Sequence, residues 1–309
     1  PLQNFPNLMV ELVGLSISVR RVEKFLNEID IQKDTSVSSS YTKPVVGFSG
    51  VDISWSHDTN IRDPNDFSLR DMNVDFPIGK LSIVYGPKSS GKTLLFLSLL
   101  RETFLLRGVI NFPSNSVAYV PQQAWLENTT IRDNILFGSN FVEERYWNIV
   151  DACCLLKDFE NMDEADFTKC DEKDLILKDD QKARIALARA LYSSAQILLL
   201  DDFLSTMDSS IAHQIIENCL KSPIIEERTV IIATNYVRPL LDVASYIAIL
   251  DEGTVKSKGT PEQIRGLLNE GILGNDVDIE KSQDKKFRNS INKTFEKYIT
   301  DKKIWAAEE

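Results

Sequence analysis

The sequence predicts an α/β fold, a three-layer core built around a mostly parallel sheet. Three observations carry the prediction. The apolar run LSIVY (81–85) passes through a glycine-containing turn into the helical pattern TLLFLSLL (93–100). The apolar run ILLL (197–200) ends in two aspartates. From residue 196 onward strand-like and helix-like segments alternate: Ile197–Leu200, Ile211–Leu220, Thr229–Ala233 and Val237–Val243. Short apolar runs without polar alternation suit strands buried on both faces. Strand–helix alternation suits parallel pairing with crossover helices.

The elements follow in order. Residues 1–30 recur in apolar side chains first and in charges later (Arg20, Arg21, Glu23, Lys24). They predict a helix that leaves an apolar environment and enters water, with an ordinary packing helix equally compatible. Residues 31–44 are polar and Ser-rich, as in a linker. Val45–Trp55, Ser68–Phe76 and Lys80–Tyr85 predict strands, with His57–Asp66 a polar loop and Pro77-Ile78-Gly79 a turn. A helix is expected over Thr93–Arg107 and a strand over Ser116–Val120. Residues 130–195 read as mostly helical, and Tyr246–Leu250 with Thr254–Lys256 as a hairpin around Asp251-Glu252-Gly253. After about Leu268 the chain turns polar and charged, a composition that suits a flexible linker.

Composition narrows the function classes. The chain of 309 residues is 43% hydrophobic and 26% charged, which suits a globular protein and excludes wholesale disorder. Its 35 basic and 46 acidic residues leave a net charge of −11, which argues against a broad nucleic-acid or anionic-membrane footprint. No run of about 18 apolar residues occurs, so no bilayer span is expected. The four cysteines form no CxxC pair and only two histidines exist, His57 and His213. A zinc site is not expected, and reduced, buried thiols are. Neither histidine is expected to be catalytic. The chain begins at Pro1 and reads as a piece of a longer protein.

The sharpest motif is Gly86-Pro87-Lys88-Ser89-Ser90-Gly91-Lys92-Thr93, a G-x-x-x-x-G-K-[ST] pattern between a strand and a helix. Gly91 has no Cβ, so such a loop can wrap closely around phosphates. Successive backbone N–H groups and the helix N-terminus face the anion. Lys92 supplies positive charge to β- and γ-phosphates, and the Thr93 hydroxyl suits Mg²⁺. Asp201, at the end of a buried strand about 100 residues on, puts a carboxylate beside that ion. A nucleotide polyphosphate with Mg²⁺ is therefore the expected ligand.

At this point the sequence resembles the nucleotide-binding domain of ATP-binding cassette (ABC) transporters, over about residues 45–268. AYVPQQAW (118–125) resembles the family's Q-loop, with Gln122 as its glutamine. Leu177-Lys178-Asp179-Asp180-Gln181 occupies the signature (LSGGQ-type) position, and IALARALY continues it. LSTMD (204–208) resembles the D-loop, with Asp208, and Asn235 stands where the family has its switch histidine. Trp55 matches the aromatic that stacks on adenine. The stretches AYVPQQAWLENTTIRDNILFG, DACCLLKDFE and LLLDDFLSTMD resemble the first nucleotide-binding domain of subfamily C, the multidrug-resistance-associated type. In that domain an aspartate, here Asp202, is typical at the catalytic-glutamate position. The Ala-Thr-Asn at the switch position is similar to fungal vacuolar members.

The resemblance implies a P-loop ABC ATPase core, an antiparallel β subdomain and an inserted helical subdomain at about 123–195. Residues 1–30 would leave the first membrane domain, and 269–309 would lead toward a second. Gln122 and Asp201 would join Thr93 around Mg²⁺, and Asp202, Asn235 and Gln122 would serve catalysis. Partners would be a second nucleotide-binding domain and two membrane domains of the same polypeptide, at the cytosolic face of a membrane, with a vacuolar membrane one location allowed.

The departures from the family pattern matter as much. Lys178-Asp179-Asp180 replaces Ser-Gly-Gly, and carboxylates facing a partner's triphosphate are electrostatically adverse. A solvated acidic loop that no longer meets nucleotide is the competing reading. Asp171 and Asp174 stand where the family often has glycine. Asp202 is one methylene shorter than glutamate, and Asn235 cannot shuttle a proton. The expected function is ATP binding, with weak hydrolysis, coupled to export of organic anions or conjugates. The alternative is a degenerate nucleotide-binding module with a structural or regulatory role. Arg288-Asn289-Ser290 resembles a basic phosphorylation context, a pattern frequent by chance.

Overall fold

A computed structural model describes residues 5–26, 45–55, 67–113, 116–170 and 177–269. The expected linkers at 31–44 and beyond 269, most of the His57–Asp66 loop, Asp171, Asp174 and Arg288-Asn289-Ser290 lie outside the described residues. Helix α1 (Phe5–Leu26) exposes Val10, Leu12, Val13, Leu15 and Val19. Among the described residues no helix is long and apolar enough to cross a membrane.

Strands β1 (Val46–Ser54) and β2 (Ser68–Phe76) precede β3 (Leu81–Tyr85), helix α2 (Lys92–Leu99), β4 (Phe104–Asn111) and β5 (Val117–Val120). Helices α3 (Ile131–Leu136), α4 (Glu143–Ala152), α5 (Leu156–Glu160) and α6 (Asp179–Tyr192) follow. The chain then alternates through β6 (Ile197–Asp201), α7 (Ser209–Ile215, continued by a π turn to Leu220) and β7 (Thr229–Thr234). The described residues close with the hairpin β8 (Tyr246–Asp251) and β9 (Thr254–Gly259) and with α8 (Pro261–Asn269).

Two sheets form. One is antiparallel, in the order β2-β1-β4. The other runs β5-β6-β7-β3-β8-β9 and is parallel except for the β8–β9 hairpin. Every residue of β3, β6 and β7 is buried, which explains their unbroken apolar runs. The period of two sends alternate side chains to opposite faces. Ile83, Leu198, Leu200, Val230 and Ile232 join the core under α3–α7. Val84, Ile197, Leu199, Ile231 and Ala233 join a second core shared with α2 and the antiparallel sheet. This is the three-layer α/β arrangement expected, with the antiparallel unit on one face and the helices of 131–192 on the other.

Two expectations fail. The helix expected over Thr93–Arg107 stops at Leu99, and Phe104–Asn111 is a strand. Arg101 turns the chain at φ 61°, and β4 pairs with β1 from Ser54↔Phe104 to Gly47↔Asn111. Leucines and a phenylalanine satisfy either period, and pairing with β1 decides. Gly108 in this strand has φ 88°, and a Cβ there would lie 2.3 Å from the Gly50 carbonyl oxygen. The helix expected over Val237–Val243 is only a 3₁₀ turn, Arg238–Leu240. Val237 and Leu240 are buried anchors, and β8 begins at Tyr246, which leaves no length for further turns. The thiols correct a third point: all four are free, but only Cys153 and Cys219 are buried, with Cys154 and Cys170 half-buried.

Leu199 is fully buried between β7 and the second core. Leu199→Ala should cost about 2–5 kcal/mol. Urea unfolding would register this as a lower midpoint at an unchanged slope.

Candidate functional site

Parallel strands in the order β5-β6-β7-β3 bring their C-terminal ends to one edge of the sheet. The loop 86–91 follows β3, Asp201 ends β6 with Asp202 next, Asn235 follows β7, and Gln122 follows β5. Residues scattered over more than 140 positions of sequence therefore meet along one crevice, the usual place for a ligand in such sheets.

The loop closes on its own lysine. Lys92 Nζ donates to the Gly86 oxygen at 2.8 Å, the Pro87 oxygen at 2.7 Å and Ser90 Oγ at 3.4 Å. Burial pushes the Lys92 pKa down, against the pull of the Asp202 and Asp201 charges. Two glycines are required. A Cβ at Gly86 would lie 2.1 Å from the Leu250 oxygen. Gly91 has φ 102°, and its Cβ would strike Leu69 and Phe67 at 2.6 and 2.8 Å. Ser89 takes the left-handed region at φ 64° without being glycine, while Pro87, Lys88 and Ser89 stay exposed. A buried cation under an exposed, glycine-hinged backbone turn is a receptacle for a polyanion.

The carboxylates stand beside it. Thr93 Oγ1 donates to Asp201 Oδ2 at 2.7 Å, and the Tyr119 hydroxyl donates to the same oxygen at 3.3 Å. Gln122 Nε2 donates to Asp202 Oδ2 at 3.3 Å. Asp202 sits at φ 43°, with its N–H on the Ala233 oxygen at 2.8 Å. Asn235 reaches Asp202 through its backbone. Burial raises the pKa of both aspartates; the Thr93 and Tyr119 hydrogen bonds oppose this at Asp201, and the Lys92 charge opposes it at Asp202. Asp202 Oδ1 is buried without a hydrogen-bond partner. Among the described residues no three His, Cys, Asp or Glu side chains could cage a metal. A hydroxyl and two carboxylates, one of them with an orphaned oxygen, do fit Mg²⁺, a hard cation that takes few protein ligands and fills its shell with phosphates and water.

Other expected site residues lie apart from this cluster. Trp55 follows directly after β1 and is 49% exposed. Asp208 is exposed just before α7. In the signature segment Leu177 is buried, while Lys178 and Asp179 are exposed at the start of α6. Asp180 turns inward to Arg184 at 2.9 Å, which corrects the expectation of two outward aspartates. Arg184 also pairs with Asp158 and donates to the Cys154 oxygen at 2.7 Å. Gln181 accepts from the Lys178 N–H at 3.0 Å and donates to Asp158 at 2.7 Å.

Sequence reasoning missed Tyr119, Arg184 and a polar–aromatic knot after Gln122. Arg189 donates to Asn134 at 2.7 and 2.8 Å and lies over Trp125 and Phe137, 4.5 and 4.8 Å from their ring centres. Asn134 donates in turn to the Glu127 and Thr130 oxygens. Trp125 and Phe137 remain half exposed, at 51% and 49%. The signal available was the polar residue inside each apolar helix pattern, Arg184 and Arg189 in α6 and Asn134 in α3.

Residues 69–205 match the family model described as ABC transporter. The sequence is 38% identical to the ATP-dependent bile acid permease of Saccharomyces cerevisiae over 297 residues, 91% of this chain. It is 41% identical to the ATP-binding cassette transporter abc4 of Schizosaccharomyces pombe over 258 residues, 82% of this chain. It is 37% identical to the ABC transporter ATP-binding protein/permease VMR1 of Saccharomyces cerevisiae over 287 residues, 87% of this chain. The chain spans about a sixth of the length of these curated relatives: 17%, 17% and 18%.

The raised pKa of Asp202 carries a stability consequence. A carboxyl whose folded pKa exceeds its unfolded value binds its proton better in the fold, so its ionisation costs stability. That cost is absent below the unfolded pKa, about 4, and complete once the pH exceeds the folded pKa. Asp202→Asn should therefore raise the thermal midpoint at pH 7. The gain should shrink as the pH falls toward the ordinary carboxylate range. A scan of midpoint against pH for both proteins checks the sign.

Proposed function

The chain carries an ABC transporter ATP-binding domain related to fungal ABC transporters, and we propose that it binds Mg-ATP and couples that binding to substrate export. In this reading it is the first nucleotide-binding domain of a subfamily C transporter. A second such domain and two membrane domains complete the polypeptide, which works from the cytosolic face of a membrane, the vacuolar membrane being one candidate. The cargo is an organic anion or conjugate. A relative named as a bile acid permease favours that class.

One observation carries the ATP assignment: desolvated Lys92, held on the Gly86 and Pro87 carbonyls, lies beside the Thr93–Asp201 pair. A cation already stripped of water meets polyphosphate at little further desolvation cost. The backbone turn of 86–91 and the start of α2 direct N–H groups to the same anion. Thr93 and Asp201 would hold the magnesium ion, which neutralises phosphate charge when bound. Trp55, with half its surface exposed, offers a face for the adenine ring. The exposed Trp125–Phe137 pair after Gln122 suits docking of a membrane domain, because Gln122 itself reaches Asp202.

Hydrolysis is the weaker half of this function. Asp202 is short for a general base, and neither the Gln122 amide nor the Asn235 backbone beside it can take a proton on from it. The second reading, a module that binds ATP while the partner domain hydrolyses, draws on this and on the exposed Lys178 and Asp179 in the signature segment.

Lys92→Ala should weaken ATP binding by at least about tenfold, since a charge-assisted contact contributes roughly 1.5–3 kcal/mol. Calorimetric titration of both proteins measures it, and equal affinities would remove the assignment. In the complete transporter, Asp202→Glu with Asn235→His should raise turnover at this site by about 10² or more, the range of one general base. ATP binding that survives without any gain in turnover would shift the defect to the partner's signature loop.

A further inference from the structure

We infer that the Tyr119 hydroxyl is a positioning group for Asp201, fixing the carboxylate that holds the nucleotide's magnesium ion. This rests on the Mg-ATP reading of the site. Tyr119 lies on β5, opposite Leu199 of β6, so its ring runs alongside the last residues of that strand toward Asp201. Its hydroxyl donates to Asp201 Oδ2 at 3.3 Å, the same oxygen that takes the Thr93 hydroxyl at 2.7 Å. Its ring meets Phe96 edge-on, with centroids 6.4 Å apart and planes at 89°. Phe96 is fully buried on α2, one turn after Thr93. Both donors to Oδ2 are thus referenced to the helix that follows the phosphate loop, one directly and one through an aromatic contact.

The same short strand serves both carboxylates. Tyr119 addresses Asp201, and three residues later Gln122 addresses Asp202. Two adjacent buried carboxylates with no fixed donors would turn toward whichever cation lies nearest, here Lys92. A second donor on one oxygen of Asp201 opposes that rotation. Thr93 alone would otherwise both orient Asp201 and serve the ion. Tyr119 touches neither nucleotide nor ion in this account and acts through Asp201.

The size of the effect follows from the bond length. Outer-shell partners of metal ligands commonly contribute 10–100-fold to affinity. A 3.3 Å contact is long for a hydroxyl donor, so about three- to tenfold is expected. Tyr119→Phe removes the hydroxyl and keeps the ring against Phe96. ATP binding to the full 309-residue chain is titrated calorimetrically in chelator and across a magnesium series, with the unliganded melting midpoint recorded. Tyr119→Phe should match wild type in chelator and in melting, while needing about three- to tenfold more magnesium for its half-maximal effect. An unchanged magnesium midpoint overturns the proposal. Equal loss of ATP binding with and without magnesium, together with a lowered melting midpoint, also overturns it, because that is a packing role. Wild-type chain that binds no ATP under either condition overturns the Mg-ATP reading itself, and the proposal with it.

Discussion

Parallel pairing of β6, β7 and β3 is the constraint on which the rest of the structure depends. It holds Asp201 opposite Ala233 and Tyr85 opposite Thr234, so three strand ends finish level with one another. Nothing local could bring Lys92 within reach of Asp201 and Asp202, 109 and 110 residues away in sequence. The sheet does so because its strands are buried on both faces and cannot slip. A one-residue slip of β6 would send Leu199 into the wrong core and withdraw Asp201 from Thr93. The two cores therefore act as a clamp on register, and register sets the chemistry.

The crevice this creates is electrostatically expensive. Two carboxylates and an ammonium are taken largely out of water, and burial disfavours the charged form of each. Asp202 adds a left-handed backbone, Ser89 another, and Asp202 Oδ1 lacks any partner. Such features persist only where surrounding packing over-determines them. Here the packing is the fully buried Leu200, Phe203 and Ala233 around Asp202, and Leu250 and Phe67 around the loop. At this crevice a left-handed backbone and an unpartnered carboxylate oxygen fall together on one residue, Asp202, where a charged ligand would supply what is missing.

Legibility in the sequence followed the range of the interactions. The phosphate loop was readable because its residues are consecutive and each residue type has its own reason to be there. The buried strands were readable because burial on both faces leaves an unbroken apolar run. Strand β4 was misread because Phe104, Leu105 and Leu106 fit a helix as well as a strand, and only pairing with β1, fifty residues earlier, separates the two. Tyr119 was invisible for the same reason. Its partner lies 82 residues away, and a tyrosine in a strand needs no explanation until the neighbouring strand is known. The i,i+4 spacing of Asp180 and Arg184 permits a pair on α6, but only the partner 26 residues away, Asp158, draws the guanidinium inward and takes Asp180 with it.

Helix α6 shows how that last detail bears on function. Its N-terminal half is clamped to α5 through Arg184, Asp158 and Gln181. Its C-terminal half is clamped to α3 and the segment after Gln122 through Arg189, Asn134 and Trp125. Two arginines on one helix therefore tie the signature segment at one end to the exposed aromatic pair at the other. Breaking the first clamp would leave the buried guanidinium of Arg184 without its partners, a cost of several kcal/mol; Arg189 is only half-buried. The helix, its acidic N-terminus and the aromatic face are thus joined by one continuous set of contacts. Asp180 cannot add to the charge presented there without first leaving Arg184. The acidity of this segment is therefore smaller, and more rigidly placed, than its sequence suggests.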